Sequence, residues 1–302
     1  MSMRREVLHS YMSRQHMLRS NYEIYHYLDK TIKNVALHHH DFYELYFLLS
    51  GEVDYLVEGK IHKLSPGDIV LVNTRELHQA VIRKGAEKYE RIVLWIDKAY
   101  LESLSTDHSD LTGCYESPEK QTVISTDFDM RREVQSLLNK ILALEDFKGM
   151  GSDILSRAYL MELFVTVNNY ILNQEKPQNI NTVKSTLIDQ VIEYIEENLS
   201  GEVSIDNLSE TFFISKYHMS REFKKYTGIT IHRYIILKRL IAAKELILQK
   251  EAINEVYMKC GFGDYSNFFR AFKNEYGITP KQFYEIMRET SESVSHHTDF
   301  NI

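Results

Sequence analysis

Four residues in the first third of the chain have the types and spacing to hold a cation or a polar small molecule. The pattern His38-x-His40-x3-Glu44 is followed by His78. Imidazole and carboxylate together suit Zn, Mn, Fe or Ni, and on an extended strand His38 and His40 point the same way. Tyr46 shares the strand face of Glu44, and Trp95, the only Trp, falls on a later strand. Aromatic rings beside His and Glu side chains suit a small polar ligand. A sugar is the favoured class, because its C–H face stacks on rings while its hydroxyls pair with donors and acceptors. Ordinary core packing competes for Tyr46 and Trp95. A second chemistry lies in the last third. Ser266, Phe269, Arg270 and Lys273 recur at helical spacing, flanked by Tyr265 and Asn267, and Tyr217, Ser220, Arg221 and Lys224 repeat that spacing just after Lys216. Arg grips guanine O6 and N7, Asn pairs with adenine, and Phe or Tyr touches a thymine methyl. Arg and Lys also hold phosphates or structural carboxylates, and for Arg221 and Arg270 these readings stay open.

The elements that position these residues are legible in the patterning. Tyr43–Leu49 is an apolar run broken by Ser50-Gly51, and Val53, Tyr55 and Val57 alternate with neighbours as on a half-buried strand. Glu58-Gly59-Lys60 and Ser65-Pro66-Gly67-Asp68 read as turns, and Ile69–Val72 and Arg91–Ile96 as strands. Short strands at this spacing predict a barrel or sandwich. Residues 1–30 read as a polar arm with one or two short strands, with partial helix over Met12–Tyr27 as the alternative. Thr126–Leu144 and Ser152–Leu172 are amphipathic helices. Their apolar stripes are Val134, Leu137, Leu138, Ile141 and Leu142, and then Leu155, Leu160, Leu163, Phe164 and Val167. In the last third, Phe268, Phe272 and Tyr276 form a buried stripe opposite the polar one. Asp264 caps that helix, Gly261 and Gly263 serve the turn before it, and Gly277 closes it. Thr279-Pro280 opens another helix with Pro at its first position.

This text occurs twice. Arg221/Arg270, Phe223/Phe272, Lys224/Lys273 and Gly228/Gly277 are each 49 residues apart, and Ile205/Ile253 and Leu208/Val256 are 48 apart. Two helix-turn-helix units joined by a helix near Thr230–Gln249 follow. The pattern G-F-x-D-x-S-x-F-x-R-x-F-K-x-x-x-G-x-T-P and its earlier copy resemble the DNA-binding domain of the AraC/XylS transcription regulators, over roughly Thr186–Glu289. Phe213 departs from the usual Gly of the first turn, and Ser209 and Tyr257 from the usual Ala. His38-x-His40-x3-Glu44-x6-Gly51, Pro66-Gly67-Asp68 and His78 resemble a cupin barrel over residues 30–97. In metal-binding cupins the positions of His38, His40, Glu44 and His78 hold one metal. Regulatory cupins on this kind of DNA-binding domain often keep such residues without metal, and no Asn follows His78 at the usual distance. The expectation here is therefore no metal and no cofactor.

Composition bounds the rest. A chain of 302 residues with two Cys far apart and a net charge of −7 has room for two or three domains, and shows neither a disulfide framework nor a thiol metal site. The N-terminus lacks a signal-peptide run and no apolar stretch reaches membrane length, so a cytosolic protein is expected. From Lys216 to Lys244, Glu222 is the only acidic residue among eight basic ones, so charge distribution favours nucleic acid where the total does not. The predicted fold is a cupin-like barrel with a helical pair over 1–172, a linker over 173–185, an all-α double helix-turn-helix domain over 186–290, and a tail over 291–302. The resemblance implies a transcription regulator responsive to a small polar effector. Its partners would be double-stranded DNA, a second copy of the chain joined through the helical pair, and RNA polymerase. A metal-dependent cupin enzyme, an isomerase or dioxygenase fused to a DNA-binding module, is the alternative.

Overall fold

A computed structural model describes residue 17 and residues 21–29, 37–83, 88–147, 149–174 and 186–285. The chain divides into two compact units, Met1–Lys184 and Ser185–Ile302. In the first, β1 (Tyr22–Asp29), β2 (Tyr43–Ser50), β5 (Ile69–Val72), β7 (Tyr89–Ile96) and β8 (Val123–Ile124) form a sheet in the order β1-β7-β2-β5-β8. A second sheet has the order β4-β3-β6, from β3 (Val53–Val57), β4 (Lys60–Leu64) and β6 (His78–Ile82). All named pairings are antiparallel. The turn between β3 and β4 puts Glu58 at φ 46° and Gly59 at φ 73°, the two positive angles of a tight hairpin. Residues Tyr22–Asp29 are strand, paired register by register with β7, so the partly helical alternative fails there. The rest of the arm lies outside the described residues.

The apolar run of β2 is buried on both faces, and its period of two serves two cores. Tyr43, Leu45 and Phe47 join Ile69, Leu71, Ile92 and Leu94 in a core shared with helices. Those helices are α1 (Lys98–Leu104), α2 (Gly113–Glu116), α3 (Phe128–Leu144) and α4 (Ser152–Asn173). Tyr46 and Leu48 point the other way, to Val53, Tyr55 and Val57 of the smaller sheet. Glu44 has the parity of Tyr46, so it faces the second sheet. Asp127 caps α3 by accepting the Met130 N–H. The α3 stripe buries Val134, Leu137, Leu138 and Ile141. On α4, Leu155 is exposed and Ser156 is buried in its place: Ser156 precedes Leu160 by four residues and Leu163 by seven, so it shares their face.

The second unit is helical: α5 (Thr186–Glu197), α6 (Ile205–Thr211), α7 (Lys216–Thr227), α8 (Ile231–Leu248), α9 (Ile253–Lys259) and α10 (Tyr265–Tyr276). Ser204, Ser215, Thr230 and Asp264 cap α6, α7, α8 and α10 with their side chains. Gly228 and Gly277 end α7 and α10 in the left-handed conformation. The second helix-turn-helix packs Val256, Cys260, Phe268 and Phe272 against Leu240, Ala243 and Ile247 of α8. Gly261 is required twice over: its φ is +81°, and an added Cβ would lie 2.5 Å from the Leu199 carbonyl. Gly263 has no positive φ among the turn glycines, so only Gly261 needs that freedom. Helix resumes at Pro280, and Thr279 accepts the Gln282 N–H while Gln282 accepts the Thr279 N–H, a capping box. Residues 175–185 of the expected linker and the tail lie outside the described residues.

Candidate functional sites

The two sheets converge on one polar cluster. His38 and His78 exchange backbone hydrogen bonds of 3.1 and 2.9 Å, which ties the segment before β2 to the start of β6. The ligating nitrogens of His38, His40 and His78 lie within 4.8 Å of one another. Glu44 accepts the Tyr55 hydroxyl at 2.8 Å on one oxygen and the Trp95 indole N–H at 2.7 Å on the other. Its second oxygen sits 3.4 Å from His40 Nε2. The Phe42 ring stacks on His40 at 4.0 Å and meets Trp95 at 4.8 Å. Glu44, Tyr46, His40 and His78 are buried, and His38 and Trp95 are half-buried. Burial opposes the Glu44 charge, but the His40 contact and the neighbouring imidazoles overcome it and hold the carboxyl well below its usual range. Burial, reinforced by the neighbouring imidazoles, pushes His78 well below the ordinary imidazole value. Tyr46 stands apart from this cluster: its hydroxyl pairs with Tyr89 at 2.8 Å, and its ring packs 4.9 Å from Tyr55. Of the six predicted effector residues, five surround one point and Tyr46 lies one layer deeper. Tyr55 and Phe42 belong with the five. Tyr55 was legible only as a core strand residue, and Phe42 gave no signal because its role comes from the stacking on His40.

Tyr55, through its Glu44 hydrogen bond, and Trp95 fix the carboxylate orientation. The backbone fixes the imidazoles: His40 Nδ1 donates to the Phe42 carbonyl at 2.8 Å and His78 Nδ1 to the Glu76 carbonyl at 2.9 Å. A carbonyl only accepts, so Nδ1 of each ring carries a proton; the His40 Nε2 then faces the Glu44 carboxylate, and the His78 Nε2 is buried without a hydrogen-bond partner. Such an array accepts hydrogen bonds from hydroxyls or coordinates a transition-metal ion.

The second site is the outward face of the helix-turn-helix pair. Lys216, Tyr217, Arg221 and Lys224 of α7 are exposed and Ser220 is half-buried, while Met219 and Phe223 are buried beneath them. Tyr226, expected in that buried stripe, is only half-buried and donates to Asp189 at 3.2 Å. On α10, Tyr265, Ser266, Asn267, Arg270 and Lys273 are exposed over buried Phe268 and Phe272. The two arginines are held differently. Arg221 pairs with Glu222 at 3.1 Å. Arg270 donates to Asn267 Oδ1 at 2.6 Å, and Asn267 in turn donates to the capping Asp264. Lys216 pairs with Asp206 at 2.7 Å. Much of the basic stretch is structural. Arg233 pairs with Glu275 and Lys238 with Glu196, Arg239 donates to the Leu199 and Gly201 carbonyls, and buried Lys244 lies over the Tyr276 and Phe283 rings. Lys224 of α7 and Lys273 of α10 are exposed beside these pairs. The family departures are also accounted for locally: Ser209 donates across the turn to the Ile214 carbonyl, and Tyr257 meets Tyr265 edge-on. Phe213, in the first turn, is 95% exposed at φ 53°.

Comparison with known proteins matches residues 21–164 to the AraC-like ligand binding domain and residues 208–285 to a helix-turn-helix domain. The probable transcriptional regulator LumQ of Photobacterium leiognathi is 26% identical over 259 residues, covering 85% of this chain and 94% of its own. The HTH-type transcriptional activator RhaS of Salmonella paratyphi A is 25% identical, covering 81% and 85%. Among solved structures, ToxT of Vibrio cholerae bound to an unsaturated fatty acid is 14% identical with a TM-score of 0.40, covering 88% and 95%. Among the described residues no helix is long and apolar enough to cross a membrane. A ligand-binding domain ahead of a duplicated helix-turn-helix sets aside the enzyme alternative: the chain belongs to the AraC/XylS family and is a DNA-binding transcription regulator.

Proposed function

We propose that the chain reads a DNA operator with α7 and α10 and adjusts that binding when a small polar effector occupies the polar end of the barrel. The observation that carries this is the repeated outward set, Tyr217, Ser220 and Arg221 on α7 and Ser266, Asn267 and Arg270 on α10, each on a capped helix over a buried aromatic face. Lys216, Lys224, Tyr265 and Lys273 flank these sets and serve phosphates and groove walls. The effector residues are His38, His40, Glu44, His78 and Trp95, with Tyr46 supporting Tyr55 from below. A sugar is the favoured class: Trp95 and Phe42 offer ring faces, and Glu44 with the imidazoles offers acceptors for hydroxyls.

Residues 1–172 would carry effector binding and dimerisation, 173–185 the linker, 186–290 DNA binding, and 291–302 a tail. The functional unit is a homodimer, and RNA polymerase is its further partner in a cytoplasmic setting. Ile154, Met161, Val165 and Leu172 of α4 support the dimer: they are exposed and follow one another at steps of seven, four and seven residues, as on one face of a helix–helix seam. A thermal-shift screen of sugars against the full chain finds the effector, since a ligand of the native state raises its stability. Effector affinity is then measured with and without operator. Coupling is reciprocal, so the affinity must change when operator is bound; identical affinities contradict equilibrium control of DNA binding by the effector.

A further inference from the structure

Both ends of the Asn267 side-chain amide are engaged. Asp264 caps α10 by accepting the Asn267 backbone N–H at 2.7 Å, and its other carboxylate oxygen accepts the Asn267 side-chain N–H. A carboxylate only accepts, so this bond sets the amide's direction: Nδ2 faces Asp264 and Oδ1 faces away. Oδ1 accepts the Arg270 Nη2–H at 2.6 Å, and Arg270 Nε donates to the Ser266 carbonyl at 3.4 Å. An Asn that reads adenine uses both ends of its amide, Oδ1 accepting from N6 and Nδ2 donating to N7. Arg270 keeps what base reading needs. Its bonds here take Nε and one proton of Nη2, and the Nη1 protons with the other Nη2 proton remain to grip guanine O6 and N7. All three side chains are exposed, so DNA can reach them. The first unit has a different arrangement. One repeat earlier, Ser215, His218 and Arg221 take the places of Asp264, Asn267 and Arg270. The Ser215 hydroxyl accepts the His218 backbone N–H at 3.3 Å, and Arg221 turns to Glu222.

We propose that Asn267 is a positioning residue for Arg270: Asp264 fixes the amide, the amide fixes the guanidinium, and of the three only Arg270 reads a base pair. This rests on operator reading by α10 and deepens it, because it withdraws Asn267 from the residues that touch a base. What the chain supplies is preorganisation. Ordering a long side chain on binding lowers affinity by roughly twofold to tenfold. That loss falls only on duplexes carrying the base pair that Arg270 grips, since other duplexes never order the side chain. Removing Asn267 therefore weakens discrimination at the Arg270 position and nowhere else.

The test uses the full chain and the duplex that the wild type selects from a randomised library, together with every single-base-pair variant of that duplex. Affinities are measured for the wild type, R270A, N267A, the double variant and D264S, which keeps a capping hydroxyl but loses the oxygen that holds the amide. R270A is expected to abolish preference at one base pair. N267A and D264S lower preference at that same base pair by roughly twofold to tenfold, with the salt dependence unchanged. The double variant matches R270A, because two members of one chain are not additive. N267A that loses preference at a different base pair, or at none, overturns the proposal while leaving operator reading by Arg270 intact. N267A or D264S weakening every duplex alike marks a purely structural role and overturns it too, as does D264S with unchanged preference. No selected site, or R270A weakening every duplex alike, removes the operator reading beneath it and the proposal with it.

Discussion

His62 shows how much a single half-buried imidazole does to the pH response of the barrel. It lies on β4 opposite Tyr55, and burial, with Lys60 and Lys120 nearby, pushes it down to about 4. An unfolded chain has His near 6.5, so between about pH 6.5 and 4 the unfolded state binds the extra proton. Stability is then full above the unfolded value and falls as pH drops through that window, by at most about 1.4 kcal/mol per pH unit. Chemical denaturation of the wild type at pH 7 and pH 5 is expected to show this loss, and H62N to show a shallower one; equal slopes would contradict the assignment. At this scale the sequence was informative about which residues matter and silent about how they are held. The spacing of His38, His40 and Glu44 announced a shared face. It could not announce that Tyr55 and Trp95 grip Glu44, because those contacts cross between strands that only the fold brings together.

The helices and turns were the most legible elements. Period, caps and closing glycines located α7, α8 and α10 to within a residue or two, because those signals are local. The departures came where tertiary context decides. Leu155 faces outward although it is apolar, and most of the basic stretch is used inside the domain. Phe213 takes the backbone angle that Gly261 takes in the second unit. Its ring is 95% exposed, so no packing offsets the left-handed strain. F213G is expected to raise the stability of the C-terminal unit by roughly 0.5–1 kcal/mol, read from thermal unfolding; a lower midpoint would show that the ring stabilises the fold. The outward stripe of α4 is the element behind the proposed dimer. M161E/V165E is expected to turn the dimer into a monomer in sedimentation at micromolar concentration, with α4 still folded on its buried face of Leu160, Leu163, Phe164 and Val167. A wild type that sediments only as a monomer would remove this claim.

For the whole molecule, a net charge of −7 is compatible with DNA binding because α7 and α10 each present exposed cations, Lys216, Arg221 and Lys224 on one and Arg270 and Lys273 on the other. The connecting helix α8 has 18 residues and is roughly 27 Å long; in the proposed reading it helps set α7 and α10 near one DNA turn apart. α7 and α10 are built alike, but their arginines are held differently: Arg221 pairs with Glu222, whereas Arg270 donates to Asn267. The most direct measurement is selection from a randomised duplex library by the wild-type chain and by R221A and R270A, followed by binding to the selected operator across salt concentrations. The expected outcome is an enriched site with two half-motifs about one helical turn apart. Each single variant should lose preference at one base pair in its own half, by roughly 1–3 kcal/mol. Arginines that only hold phosphates would instead weaken all sequences alike and flatten the salt dependence. Enrichment of no site over random DNA by the wild type would contradict operator reading by α7 and α10.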